Sequence, residues 1–370
     1  MSETKVTERD LRIDFLRGFF IVSLSATHYT WFASVAGYGS IARFYDMQPF
    51  GFSSPAEFFV FFSGYVLTLV LGRNYDKVGF WLTQARTLDR AWSLYVLNVF
   101  TLAIIAGSAA FLFANAPGLA AVSKTDRFLA DPAGFLFQFL TFQTNFAFFE
   151  ILRNYIFFIP LVAIFLKLSR IHAALPLGIS FAVWAVYQLG LIPGFHYVTF
   201  NPLGWQFLFF LGGGVALIKP LTQWTFPRRG LQIAACLGLI ALAFAFKMLV
   251  FPGIQAESIP HAQKVSVGPL RVLHFLLILW TAMLITPASN VLRRSRIVMS
   301  VVAVGQNSLE CFCLTNILVY FGAHLLSEDP ASVPRYFAIL LGVVTLVLLG
   351  GRMFGWFKSA PWVKRAKAAA

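Results

Sequence analysis

Stretches of about 20 mainly apolar residues recur along this chain from one end to the other, and they limit its possible folds more than any other feature. Of its 370 residues, 58% are hydrophobic and only 12% are charged, and the mean hydropathy is +0.74. A water-soluble domain of this length could hardly tolerate such a composition. The sequence therefore predicts an all-α, polytopic integral membrane protein that is embedded in a lipid bilayer.

A transmembrane helix needs about 20 apolar residues, and this requirement gives about ten candidate spans. They cover residues 13–35, 56–72, 91–114, 147–168, 173–191, 203–219, 230–250, 269–287, 298–324 and 335–357. No internal repeat stands out among them. We therefore expect one transmembrane domain over residues 1–360, followed by a basic, disordered cytoplasmic tail over residues 361–370.

Lys and Arg are distributed unequally between the two sets of alternating connections. The richer set contains Lys5, Arg9, Arg12, Arg73, Lys77, Arg86, Arg90, Lys167, Arg170, Lys219, Arg228, Arg229, Arg293, Arg294, Arg296, Lys358, Lys364, Arg365 and Lys367. The poorer set has Arg43, Lys124, Arg127, Lys264 and Arg335 as its main members. Because basic loops stay in the cytoplasm, both termini should be cytoplasmic and the protein should lie in a bacterial inner membrane. Scattered basic clusters favour this explanation of the net charge of +14 over nucleic-acid binding.

The first predicted helix carries a mostly polar line. Asp14, Arg17, Ile21, Ser25 and His28 follow one another at steps of three or four residues. At 100° per residue, Arg17 and His28 point in directions only about 20° apart, and they are separated by roughly 16 Å along the axis. Arg17 should therefore lie near the cytoplasmic mouth, and His28 in the outer half of the bilayer.

Two interpretations of this line are open. Asp14 and Arg17 could be interfacial anchors, and His28 could form a hydrogen bond with a neighbouring helix in a fully satisfied core. Ionisable residues inside a span are nevertheless costly and are functional candidates by default. A neutral imidazole can accept a proton from a hydroxyl near physiological pH, so we favour His28 as a general base.

The second predicted helix begins at Ser54 and Pro55, with Glu57 in its first turn, where the helix dipole favours a carboxylate. Glu57 should lie at about the depth of His28, so it could also orient the imidazole or bind an acceptor hydroxyl. Ser63 and Gly64 fall in the middle of the helix. We expect Gly64 to permit close packing of another helix.

These residues resemble the integral-membrane acyltransferases of the acyltransferase-3 superfamily. Arg17 and His28 match its pattern of an Arg, ten residues and a His, and Glu57 with the following aromatics and Ser63-Gly64 matches a second pattern. Within the superfamily, the chain is similar to OpgC-type glucan succinyltransferases over almost its whole length. The similar segments are 51–66, 148–156, 200–213, 268–276 and 305–313, with Arg86 and Arg90 before the third helix. The chain departs from that pattern at Glu150, Arg153 and Asn154.

The resemblance implies a cytosolic acyl-CoA donor, with succinyl-CoA as co-substrate and no bound cofactor, and a hydroxyl of a periplasmic osmoregulated glucan as acceptor. Catalysis would involve His28 and Glu57. Guanidinium groups suit the phosphates of coenzyme A, and the expected donor-binding residues are Arg12, Asp14, Arg17, Ser63, Arg86 and Arg90. The expected acceptor-binding residues at the outer mouth are Tyr29, Trp31, Glu150, Asn201, Trp205, Arg271 and His274. An aromatic belt or packing would also account for several of these.

Other functions remain open at this point. The protein could be an O-acetyltransferase for another envelope polysaccharide, or a sugar or lipid transporter without enzymatic activity, although transporters usually contain repeated halves. A dicarboxylic acyl group would need a basic partner, and Arg153 or Arg271 could serve. No two ligand residues have metal-binding spacing on one helix, so we expect no metal site. An oligomer is possible.

Overall fold

The computed structural model describes residues 10–39, 51–195, 199–251, 258–328 and 332–360. These residues form α-helices and their connections, with no strand among them, so the all-α prediction is confirmed. The helices are α1 Leu11–Ala33, α2 Pro55–Gly72, α3 Tyr75–Leu112, α4 Pro117–Ser123, α5 Thr125–Ala130, α6 Pro132–Leu140, α7 Glu150–Ser169, α8 Leu175–Gln188, α9 Pro202–Ile218, α10 Arg229–Val250, α11 Pro269–Ile285, α12 Ser289–Leu292, α13 Arg296–Gln306, α14 Ser308–Ser327 and α15 Val333–Lys358. The predicted tail over 361–370 and the loop charges Lys5, Arg9 and Arg43 lie outside the described residues.

Six of the described helices are long and apolar enough to cross a membrane: α2, α3, α7, α10, α14 and α15. Four further apolar helices, α8, α9, α11 and α13, are shorter. Helix α1 has 23 residues, but the polar line along it lowers its mean hydropathy. The membrane-protein prediction agrees with these helices, whereas the count of ten spans and the cytoplasmic termini stay predictions.

One predicted span is not a single helix, so the prediction of one continuous span there is wrong. Residues 298–324 form two helices, α13 and α14, because Asn307 leaves the helical conformation with φ −115° and ψ 42°. Its side-chain amide donates to the carbonyls of Ala303 at 2.9 Å and Gly351 at 3.1 Å. Through these bonds, Asn307 connects the break between α13 and α14 to α15. Helix α14 then begins at Ser308.

The third predicted span also begins earlier than expected. Helix α3 starts at Tyr75 and contains an interruption at Gly79, where φ is +76°. Arg86 and Arg90 therefore lie on the helix itself and do not precede it. Three short helices, α4 to α6, occupy the segment between α3 and α7, to which the hydropathy pattern assigned no helix.

Glycines allow α1 and α13 to cross with their backbones in contact. A Cβ atom on Gly18 would lie 1.8 Å from the carbonyl oxygen of Val301, and one on Gly305 would lie 1.8 Å from that of Asp14. Helices α2 and α9 meet in the same way, because a Cβ on Gly64 would lie 1.9 Å from the Phe209 carbonyl oxygen. The packing role predicted for Gly64 is confirmed.

Gly305→Ala should lower the melting temperature in detergent, because a methyl group forced against the Asp14 backbone costs about 1–3 kcal/mol. Gly342→Ala, in the interior of α15, is the matched control, since nothing lies within 4 Å of the added carbon. That change should be neutral or slightly stabilising, because Ala is favoured over Gly in a helix by about 0.5–1 kcal/mol. Equal melting temperatures for the two variants would contradict the close crossing.

Candidate active site

The polar line of α1 faces the polar residues of α13 and α14. Each polar side chain of this line has a hydrogen-bonding partner on α13 or α14, so α1 shares a polar seam with these two helices. Its pairs are Asp14 with Gln306 at 3.3 Å, Arg17 with Ser308, Ser25 with Thr315 at 3.0 Å, and His28 with Asn316 at 2.7 Å. The prediction that Arg17 and His28 share one face of α1 is confirmed.

The hydrogen bonds around His28 select its protonation state. The amide nitrogen of Asn316 donates to the carbonyl oxygen of Phe148 at 3.5 Å, which can only accept. The Oδ1 atom of Asn316 therefore faces Nδ1 of His28 and must accept the proton that Nδ1 carries. In the neutral imidazole, the lone pair then lies on Nε2.

Phe148 supports the same imidazole from its face. The two rings are stacked, with centroids 3.9 Å apart and planes 10° from parallel, and Trp31 packs edge-on against the Phe148 ring. The backbone of Phe148 has φ +71°, a left-handed conformation that is unfavourable for an aromatic residue. Such strain is concentrated at functional sites, where the surrounding structure maintains it.

The Nε2 atom of His28 has no hydrogen-bond partner in the described part of the chain, and the residue is only half-buried. Asn316, by contrast, is fully buried. A histidine with one nitrogen fixed and the other lone pair accessible has the arrangement of a general base. In this geometry, Nε2 of His28 can accept a proton from a hydroxyl group that lies beside it.

Glu57 does not orient the imidazole of His28. The Nδ1 atom of His28 bonds to Asn316, and both carboxylate oxygens of Glu57 bond to other residues. The ring of Phe58 stacks on Phe20 at 3.7 Å, so the start of α2 packs against α1. The depth of Glu57 relative to His28 stays a prediction.

The actual partners of Glu57 are Ser54 and Arg271. Its Oε2 atom accepts from the backbone N–H of Ser54 at 2.8 Å, as in the capping box of α2, and also from the Ser54 hydroxyl at 2.7 Å. Its Oε1 atom accepts from Arg271 at 2.5 Å, and both side chains are completely buried. The predicted helix start at Ser54-Pro55 is confirmed, and the carboxylate stabilises a buried cation.

His274 lies one turn after Arg271 on α11 and has the opposite tautomer to His28. The backbone N–H of Ser53 donates to its Nδ1 at 3.3 Å, so a neutral ring carries its proton on Nε2. That Nε2 atom and one terminal nitrogen of Arg271 are buried without a hydrogen-bond acceptor among the described residues. The predicted acceptor residues Arg271 and His274 thus lie together, beside Glu57.

The predicted donor residues are in several environments. Arg12 forms an ion pair with Asp10 at 2.6 Å. Burial alone would raise the pKa of Asp10, but the hydrogen bonds from Arg12 outweigh the effect of burial, so this pKa is lowered. Ser63 is half-buried and donates to the Phe59 carbonyl. Arg86 and Arg90 are exposed one turn apart on α3, with no hydrogen bond or ion pair within the described ranges. Asp14 and Arg17 belong to the seam, and Arg17 and Ser63 both lie near Tyr155.

Two predicted acceptor residues are fully buried. The hydroxyl of Tyr29 donates to the Tyr336 carbonyl at 3.0 Å, and the indole N–H of Trp205 donates to the Lys264 carbonyl at 2.9 Å. Packing and hydrogen bonding account for both. Their contact with a sugar stays a prediction.

Two other predicted acceptor residues also have local structural partners. The side chain of Asn201 caps α9 by accepting from the N–H of Leu203 at 3.1 Å. Glu150, in the first turn of α7, forms an ion pair with Lys124. Among the predicted acceptor residues, Trp31 is the one whose ring is exposed close to His28, through its contact with Phe148.

The sequence interpretation missed Asn316, Phe148 and Ser308. Asn316 is an amide inside an apolar span, which is a usable signal because such residues hydrogen-bond across helices. Phe148 begins one of the segments that resemble the family, but no pattern assigns it a role, because its left-handed backbone depends on the loop before α7. Ser308 becomes significant only once the break at Asn307 is known.

A sequence model of one protein family, described as OpgC protein, matches residues 9–359 of the chain. The chain belongs to the OpgC family. No curated protein and no solved structure gives a significant match. OpgC membership identifies a membrane acyltransferase that acts on glucans, and together with the apolar helices it indicates a multi-pass membrane protein.

In this OpgC family member, Glu57→Gln should be strongly destabilising. The change leaves the guanidinium of Arg271 buried without a counter-charge, which typically costs about 3–5 kcal/mol. Adding Arg271→Gln should recover part of the loss. The measurement is the unfolding temperature of each variant in detergent.

Glu310→Gln is the matched control for this prediction. Glu310 forms an ion pair with Lys358 at 2.7 Å, but both side chains are partly exposed. Exposed pairs contribute at most about 1 kcal/mol, so this variant should melt close to the native protein. If Glu57→Gln melted as high as the control, the buried pair would not support the fold.

Proposed function

We propose that the protein moves a succinyl or similar acyl group from cytosolic acyl-CoA to a hydroxyl of a periplasmic osmoregulated glucan, with His28 as general base. The observation that carries the catalytic part is the hydrogen-bond chain from the Phe148 carbonyl through Asn316 to Nδ1 of His28, which leaves the Nε2 lone pair accessible. Family membership supports the class of reaction and the class of acceptor.

In the proposed reaction, Nε2 of His28 takes the proton of the acceptor hydroxyl as its oxygen attacks the thioester carbonyl. The carbon–sulfur bond then breaks, and the coenzyme A thiolate takes the proton back from Nε2. One ester is formed, one thioester is lost, and the imidazole returns to its neutral state. Asn316 acts as a positioning residue, since it holds the ring orientation and stabilises the imidazolium through its Oδ1 atom.

The donor is proposed to enter from the cytoplasm. Arg86 and Arg90 support this part, because two exposed guanidinium groups one turn apart suit the phosphates of coenzyme A. An extended pantetheine arm would then lead the thioester along the polar seam toward His28. The inner-membrane location and the cytoplasmic termini belong to the same proposal.

His28→Ala should lower the rate of acyl transfer by about 10²–10⁴-fold, which is the usual contribution of a general base. The assay follows free thiol release from succinyl-CoA and mass gain of the glucan, using purified protein whose melting temperature matches the native value. Transfer at the native rate by a folded His28→Ala variant would disprove the catalytic role.

Asn316→Leu and Asn316→Asp separate positioning from packing. The leucine cannot accept the Nδ1 proton, so the ring is free to take the inactive tautomer, and kcat should fall about tenfold or more with little change in KM. The aspartate still accepts that proton, so it should retain more activity than the leucine. Equal activities for the two variants would mean that Asn316 does not act through His28.

A comparison of two acyl-CoA donors tests which acyl group the protein transfers. With succinyl-CoA and acetyl-CoA at equal concentration, succinyl transfer to glucan should predominate. Arg86→Gln combined with Arg90→Gln should raise KM for both donors, because the lost contacts are to the shared coenzyme A. Predominant acetyl transfer would favour an O-acetyltransferase, and glucan movement across vesicles without thiol release would favour a transporter.

A further inference from the structure

Arg153 is a buried cation that forms no direct ion pair with a carboxylate in the part of the chain that the structure describes. Its side chain is 5% exposed, and one terminal nitrogen donates to the carbonyl of Phe142 at 2.8 Å. The other terminal nitrogen is buried with no acceptor among the described residues. Glu150, one turn away, is already paired with Lys124. An unpaired guanidinium in a membrane helix is costly, so this position calls for an anionic partner.

An open groove of about 600 Å³ lies between α3 and α7, and Phe142, whose carbonyl accepts from Arg153, is one of the residues that line it. Its walls are apolar and aromatic, with Trp92 and Tyr95 on one side and Phe157 on the other. The ring of Phe142 contacts both walls, at 5.8 Å from Tyr95 and 5.1 Å from Phe157. Trp92 and Phe157 are exposed on the outer surface of the bundle. The groove therefore faces the space that lipid occupies around a membrane protein.

Arg153 and the groove lie on one face of α7. Ile156, Phe157 and Pro160 line the groove, and they follow Arg153 by three, four and seven residues. Side chains on a helix tilt toward its N-terminus, so the guanidinium lies at the end of the groove nearest the start of α7. Helix α7 is long and apolar enough to span the membrane, and Arg153 is in its first turn. The guanidinium thus lies near the N-terminal end of α7, and the apolar groove extends from there along the helix.

Phe142 connects the two parts of this feature. Its carbonyl holds the guanidinium, its ring lines the groove, and its backbone has φ +64°. A left-handed aromatic residue is strained and is retained where surrounding contacts require it. The strain is therefore located at the point where the charged end and the apolar groove meet.

We propose that this groove binds one anionic glycerophospholipid, with the phosphate on Arg153 and the acyl chains between α3 and α7. The guanidinium supplies charge-assisted hydrogen bonds to phosphate, and the aromatic walls cover the chains. The site is on the side of α7 that packs against α3. It is independent of the acyl-transfer reaction and would fix the relative position of α3 and α7.

The test measures lipid retention by the full-length protein. Native protein and variants are incubated in detergent with equal amounts of phosphatidylglycerol and phosphatidylcholine of identical chains, and bound lipid is counted by native mass spectrometry. Native protein should retain phosphatidylglycerol about tenfold better than phosphatidylcholine. Arg153→Gln should reduce this preference to near one, whereas the exposed control Arg127→Gln, with the same charge change, should leave it unchanged.

A second variant tests the groove without touching the charge. Ala91 lines the groove, and Ala91→Phe should fill it and reduce retention of both lipids at least fivefold. The proposal fails if folded Arg153→Gln keeps the native preference, or if Arg127→Gln loses it equally. If Arg153→Gln does not fold, Ala91→Phe decides: native retention of both lipids by that variant overturns the proposal.

Discussion

The hydrogen-bonded seam between α1 and the helices α13 and α14 is the interaction on which the rest of this structure depends. Inside a bilayer, polar side chains have no water to bond, so each must find a partner on another helix or remain costly. Arg17 and His28 both satisfy part of this need with residues of α14. The seam therefore joins the first helix to the last part of the chain, and it gives His28 its tautomer at the same time.

The sequence predicted which residues share a face of one helix, but it did not predict which residues of different helices make contact. The shared face of Arg17 and His28 and the helix start at Ser54-Pro55 follow from local geometry, and both are confirmed. The partner of Glu57 depends on how α2 and α11 pack, because Arg271 is 214 residues away in the sequence. Asn316 was missed for the same reason, because the sequence does not show which helix packs against the face of α1 that carries His28.

The break at Asn307 was missed for a related reason. Apolar residues dominate 298–324 on both sides of the short polar run Gln306-Asn307-Ser308, and so short a run does not by itself predict the end of a helix. The interruption is stabilised by contacts that are remote in sequence, such as the bond from Asn307 to the Gly351 carbonyl. The connection before α7 is similar, since Phe142 and Phe148 take left-handed conformations that serve Arg153 and His28 respectively.

The crossing of α1 and α13 also controls rotation. With backbone atoms in contact at Gly18 and Gly305, α1 cannot turn about its own axis without collision, so the angular setting of every later residue on α1 is fixed from that point. One residue inserted between Gly18 and His28 would swing the imidazole by about 100° and advance it about 1.5 Å. The glycine contact thus fixes the rotation of α1 about its axis. The number of residues between Gly18 and His28 then determines that the imidazole faces Asn316.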